Sequence, residues 1–168
     1  MPQRSLADIP AGCDIFIDAN IFIYALNGLS PQCRRLLERC SREEVTGISL
    51  LETVNEATHR FMLAEARAKG WISSERAQEL RRNFRVIPRL TEYWQATEKI
   101  LALDLLFLSV TETILRSAQK TRESASLLTN DSMVAACMQE YGLSYLASSD
   151  RDFERVSGIT IFRPDDLP

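Results

Sequence analysis

Short apolar runs alternate along this chain with longer segments whose apolar residues recur every three or four positions, a pattern that predicts strands and helices in turn. Asp14-Ile15-Phe16-Ile17 is a β-branched and aromatic run ending at Asp18, and Ala19 to Leu26 then reads as a helix stopped by Asn27-Gly28. Ser30 as N-cap, with Pro31 in the first helical position, opens a second helix through about Arg42. Val45 to Ile48 predicts a strand, and a helical pattern then runs from Ser49 to about Lys69, where Gly70 ends it. Ser74 to Arg85 and Thr91 to Leu103 predict two amphipathic helices separated by Pro88. Leu106 to Val110 predicts a strand, Thr111 to Lys120 a helix, and Thr129-Asn130-Asp131 introduces a helix that reaches Tyr141 before Gly142. Ser144 to Ala147 and Ile159 to Phe162 are the last two predicted strands, on either side of a helical turn at Asp152 to Val156. The chain carries no internal repeat or low-complexity tract.

Strands this short and apolar, alternating with helices, imply an α/β fold: a parallel sheet covered on both faces. Ligands of such open sheets sit beyond the carboxyl ends of the strands. Asp18 follows the first predicted strand, Ser148 to Asp150 follow a later one, and Asp131 stands at a helix start that can reach the same edge. Acids far apart in sequence are thereby expected to converge.

With 168 residues, 45% of them hydrophobic, the chain suits one domain spanning 1–168. The longest apolar stretch, Ile100 to Val110, is broken by Asp104 and falls short of the roughly 20 residues a membrane span requires. The N-terminus has no apolar signal core, so a cytoplasmic location with no membrane partner is expected. Cys13, Cys33, Cys40 and Cys137 form no C-x-x-C pair and read as reduced thiols.

The net charge of −3 argues against indiscriminate binding to a polyanion. Nearly all the positive charge is arginine, gathered at Arg34, Arg35, Arg39 and Arg42 and again at Arg81, Arg82, Arg85 and Arg89. These segments read either as solvated helix faces or as phosphate contacts, which the arginine fork suits.

The acids carry the chemistry. Asp18 and Asn20 enter the turn after an apolar strand, although both are also favoured helix caps. Glu52 and Glu56, four residues apart, share a helix face. Ser49 and Glu52 have the spacing of a capping box, which gives Glu52 a structural role and leaves Glu56 as the better ligand candidate. Asp131 reads as a cap or a ligand, and Asp150 and Asp152 as a polar turn or as ligands. Several carboxylates in one crevice repel one another unless a cation is present. A set without thiolate or imidazole suits Mg²⁺ or Mn²⁺, which activates water and stabilises charge on a phosphodiester undergoing hydrolysis.

The single histidine, His59, limits the competing chemistries. Glu56-x-x-His59 occurs once, whereas di-iron carboxylate sites use that motif twice. No G-x-S-x-G, P-loop or G-x-G-x-x-G is present. His59 is read as a packing or surface residue.

Four segments together resemble the PIN-domain ribonucleases, in order and over nearly the whole chain: Asp14 to Ala25, Thr53 to Arg60, Leu127 to Ala136, and Leu146 to Phe153 with the Ile161-Phe162-Arg163-Pro164 ending. The resemblance implies a three-layer α/β/α sandwich with a five-stranded parallel sheet, Mg²⁺ or Mn²⁺, and cleavage of single-stranded RNA. Small members of this family include VapC-like toxins of type II toxin–antitoxin pairs, which implies an antitoxin partner and a homodimer. Carried over by position, Asp18, Glu56, Asp131 and Asp150 are implied as catalytic metal-binding acids and Asp152 as an accessory metal ligand. Asn20 and Ser148 are implied as supports, with Glu52 the alternative to Glu56. The segment from Ser74 to Leu103 is longer than the family pattern requires. The competing functions are a non-catalytic RNA-binding or scaffolding module of the same fold and a Mg²⁺-dependent phosphoryl-transfer domain. The latter usually needs a lysine after a late strand and a second acid beside the first, where this chain has Ala19 and Asn20.

Overall fold

Alternate residues of Asp14–Ile17 face opposite ways, and that single strand shows how the layers form. Ile15 and Ile17 pack with Phe22, Leu36, Val54, Ala57, Phe61 and Ile100 on one face, whereas Phe16 joins Ile114, Val134, Met138, Leu146 and Phe153 on the other. In the computed structural model, which describes residues 4–167, all three residues are fully buried. The expected three-layer α/β/α arrangement is what the chain adopts.

The elements are β1 (Arg4–Ser5), β2 (Asp14–Ile17), α1 (Ala19–Leu26), α2 (Pro31–Ser41), β3 (Thr46–Leu50), α3 (Leu51–Ala68), α4 (Ala77–Arg82), α5 (Glu92–Leu101), β4 (Leu105–Leu108), α6 (Glu112–Ala125), α7 (Thr129–Glu140), β5 (Tyr145–Ala147) and β6 (Thr160–Arg163), with 3-10 turns at Leu6–Asp8, Phe84–Arg89 and Asp152–Arg155. The sheet has six parallel strands in the order β1-β6-β5-β2-β3-β4, not the expected five. The added strand is the two-residue edge pairing of Arg4 and Ser5 with Phe162 and Arg163, too short to leave a hydrophobic period in the sequence.

Two helix expectations also change. Ser49 lies inside β3 instead of opening α3: its hydroxyl donates to the Ile17 carbonyl at 2.9 Å, and Leu50 occupies the N-cap with no side-chain cap bond. The Ser49–Glu52 capping box is therefore absent. The helix predicted from Ser74 to Arg85 shortens to α4 followed by the 3-10 turn that contains Pro88.

This inserted region has its own small core of Leu63, Ala66, Ile72, Leu80, Val86 and Leu90. The Glu65 carboxylate, 5% exposed, accepts the N–H groups of Thr91 and Tyr93 at 2.9 Å each and pairs with Lys69. α5 has no cap from its own sequence, so Glu65 caps it from α3 and fixes the α3–α5 hairpin.

β3 and β4 meet around Gly47, where a Cβ would lie 2.5 Å from Leu105 Cδ2 and 2.8 Å from Cys40 Sγ. Gly47→Ala is expected to cost about 1–3 kcal/mol by overpacking, visible as a lower urea midpoint with an unchanged slope.

Candidate active site

β2 lies at the centre of the sheet between β3 and β5, the point from which successive connections diverge to opposite sides. Asp18 follows β2 directly and is the N-cap of α1, with Oδ1 accepting the Ala19 N–H at 2.7 Å. Its Oδ2 accepts from the Ser148 hydroxyl at 2.6 Å and from the Asn20 amide at 2.5 Å. The capping reading of Asp18 is realised on Oδ1, and Oδ2 is held by Asn20 and Ser148.

Ser148 follows β5 and links several parts of this edge. Its Oγ also accepts the Asp150 N–H at 3.0 Å, and the Asn20 carbonyl oxygen accepts the Ser149 N–H at 3.1 Å. Tyr24 on α1 lies 3.3 Å from the Ser149 hydroxyl. Asp150 Oδ1 accepts the Asp152 N–H at 2.8 Å, forming the polar turn that the sequence suggested. That turn brings the two acids close to Asp131.

Oxygen atoms of Asp131, Asp150 and Asp152 all lie within 4.8 Å of one another. Asp131 sits in the first turn of α7, whose N-cap is Leu128 and has no side-chain cap bond. Capping therefore does not explain Asp131. Asp18, Glu52, Thr53, Glu56, Asn130, Asp131, Met133 and Val134 line one narrow cleft.

The electrostatics are those of acids crowded together. Burial, followed in effect by the charges of Asp150, Asp18, Glu56 and Asp152, pushes the Asp131 carboxyl up to about 6. Burial also raises Asp18 to about 6, against the lowering effect of its bonds to Ser148 and Ala19, with Glu56 and Asp150 adding to the rise. Every charge among these causes is another carboxylate. Glu56 is among the charges that raise both aspartates, and Glu52 lines the same cleft. Glu56 Oε2 accepts from the Asn130 amide at 3.0 Å, which ties it to the start of α7 beside Asp131.

An all-oxygen donor set that repels itself is chemically suited to a hard divalent cation. Asp131, Asp150 and Asp152 have the spacing to hold one, with Asp18 and Glu56 beside them. No cysteine belongs to this group of donors among the described residues.

The sequence profile of the PIN domain matches residues 15–159 of this chain. The chain belongs to the PIN domain family. This PIN domain is 23% identical over 155 residues to Ribonuclease VapC2 of Methanocaldococcus jannaschii, an alignment covering 88% of this chain and 91% of that one. Its fold is similar to VapBC2 from Rickettsia felis bound to a DNA fragment from their promoter, at a TM-score of 0.59 and 14% identity over 90% of this chain and 99% of that one. PAE2754 from Pyrobaculum aerophilum matches at a TM-score of 0.54 and 16% identity over 89% of each chain. A toxin–antitoxin complex from Klebsiella pneumoniae matches at 0.53 and 17% identity over 87% of this chain and 95% of that one.

One residue of the PIN domain acts on the acidic loop without having been singled out in the sequence. Arg163, at the end of β6, donates from Nη2 to the Asp150 carbonyl at 3.2 Å and from Nη1 to Glu154 Oε1 at 2.5 Å. Its Nε is buried without a partner among the described residues. A guanidinium that bridges the backbone of one acid and the side chain beyond it fixes where Asp150 and Asp152 stand. The signal was an arginine closing the last apolar strand. Arg163→Lys, which cannot span both acceptors with a planar fork, is expected to weaken Mn²⁺ binding about tenfold or more, measured by calorimetric titration.

The arginine-rich segments divide on inspection. Arg39 donates to the Ile9 carbonyl and pairs with Glu44, so it serves the fold. Arg89 stacks on Trp71, whereas Arg81, Arg82 and Arg85 are exposed. His59 is exposed on α3, in agreement with a surface reading.

Proposed function

We propose that this PIN domain is a Mg²⁺- or Mn²⁺-dependent endoribonuclease that hydrolyses phosphodiester bonds of single-stranded RNA. The observation carrying this reading is the convergence of Asp131, Asp150 and Asp152 to within 4.8 Å at the sheet edge that also presents Asp18 and Glu56. Asp131, Asp150 and Asp152 would hold the metal together with Asp18 and Glu56, while Asn20 and Ser148 fix the orientation of Asp18. When bound, the cation supplies a Lewis acid for the phosphodiester and a water of lowered pKa. Asp18 and Asp131, which burial and neighbouring acids push up to about 6 without a cation, are acids whose charge the metal would offset. Glu52 lines the same cleft and is assigned to its wall.

We further propose that the protein is the toxin of a type II toxin–antitoxin pair. Support comes from its likeness to Ribonuclease VapC2 and from the presence of VapBC2 and another toxin–antitoxin complex among proteins of similar fold. An antitoxin partner, a homodimeric state and a cytoplasmic location belong to this reading. Among the described residues no helix is long and apolar enough to cross a membrane.

The test is incubation of a single-stranded RNA with the purified protein in Mn²⁺ and in EDTA. Cleavage confined to the metal-containing reaction, with internal rather than terminal cuts, is expected. RNA left intact in Mn²⁺ but bound would favour the non-catalytic RNA-binding module. Phosphate transfer from acetyl phosphate onto Asp18 would favour the phosphoryl-transfer domain.

A further inference from the structure

Beside the acid cleft runs a wider groove of about 620 Å³, lined by Leu51, Glu52, Asn55, Glu56, His59, Asn130 and Met133. Glu52, Glu56, Asn130 and Met133 line both, so a molecule seated over the acids continues into the groove. The chemistry of the wider space differs from that of the cleft. Asn55 and His59 project from the same face of α3 as Glu52 and Glu56, at one-turn spacing. The hydrogen bonds and ion pairs of this stretch of α3 belong to Glu56, Thr58 and Arg60, leaving Asn55 and His59 unengaged among the described residues.

No arginine or lysine lines this groove, and two carboxylates do. A phosphate is therefore disfavoured there. The walls suit a flat neutral heterocycle: Leu51 and Met133 offer apolar contact, His59 a ring to stack on, and Asn55 a donor and an acceptor for a base edge. We infer that the groove holds the nucleobase adjoining the scissile phosphodiester, with Asn55 and His59 determining which base is accepted. This inference rests on the ribonuclease reading above. A basic peptide segment is the other chemistry that two glutamates without an ion pair among the described residues admit, but it leaves the neutral pair Asn55 and His59 without a role.

The test compares wild-type protein with Asn55→Ala, His59→Ala and the double variant on single-stranded RNA randomised around the cut, in Mn²⁺, with the products sequenced. Alanine is favourable on a helix surface, so these variants are expected to fold. Wild type is expected to prefer particular bases at one position beside the cut, and the double variant to flatten that preference at least fivefold or so. Mn²⁺ affinity, read by calorimetry, stays at the wild-type value. An abasic nucleotide at that position should slow wild type to the rate of the double variant and leave the variant unaffected. Unchanged base preference in the variants, or a wild type without preference, overturns the inference. Anisotropy of a labelled RNA on the Asp131→Asn protein separates the two readings. If wild type cuts nothing, loss of RNA binding on adding Asn55→Ala and His59→Ala still supports the groove. Unchanged binding, or competition by an oligoarginine peptide that ignores both residues, refutes it.

Discussion

Asp131→Asn is expected to lower the rate of RNA cleavage in saturating Mn²⁺ by about a thousandfold or more, with the metal-free protein at least as stable as wild type. The loss corresponds to several kcal/mol of charge stabilisation, the order expected when a metal loses a carboxylate ligand. Stability is spared because the Asp131 side chain makes no hydrogen bond among the described residues and is surrounded by Asp150, Asp18, Glu56 and Asp152. An isosteric amide removes repulsion and breaks no bond. Asp18→Asn separates the two effects. It too is expected to abolish cleavage, but Oδ2 of Asp18 accepts from both Asn20 and Ser148 while Oδ1 is held by the Ala19 N–H. An amide nitrogen at Oδ2 would face the Asn20 amide, donor against donor, at a cost of about 1–2 kcal/mol. Single-turnover cleavage and urea denaturation of both variants check the pair: equal losses of stability would contradict this geometry.

The second large effect is in the pH dependence of stability. Asp18 and Asp131 rise from 3.8 to about 6 on folding, so the folded chain binds their protons more tightly than the unfolded chain does. Their stabilising contribution is complete below about pH 4 and is lost as the pH rises through about 6. Relative to wild type, Asp131→Asn is therefore expected to gain about 1–2 kcal/mol between about pH 4 and pH 7, a figure reduced for the solvent around the half-buried side chain. Above that window the difference is flat. Mn²⁺ added at about pH 7.5 should reverse it if Asp131 is a ligand as proposed, because only wild type would then keep the full ligand set and binding stabilises the fold. Parallel curves for the two proteins across this range, with and without metal, would show that Asp131 is not part of a repelling cluster.

Much of the arrangement was legible because strand and helix signals here are local. Asp14–Ile17 and α1 fall where the apolar run and its periodicity place them, and Asp18 and Asp150 follow β2 and β5 at the carboxyl edge where ligands of parallel sheets sit. Two failures have physical causes. Ser49 has the sequence spacing of a cap but is consumed as a buried strand residue bonded to Ile17, a tertiary contact that no local pattern encodes. The edge strand Arg4–Ser5 is likewise defined only by its pairing with β6. The choice of Glu56 over Glu52 rested on that missing capping box. Both glutamates line the cleft with Asp18 and Asp131, and Glu56 is among the charges that raise the two aspartates. Arg163 could not be read as a support for Asp150, because its role depends on two strands meeting at the sheet edge.

Whether these acids form one divalent-metal centre, as proposed, is read from the anomalous difference map of crystals soaked in Mn²⁺. A peak bounded by Asp131, Asp150 and Asp152, in reach of Asp18 and absent from Asp131→Asn crystals, is expected. A map at saturating Mn²⁺ with no peak there, or with the same peak in the variant, would contradict it.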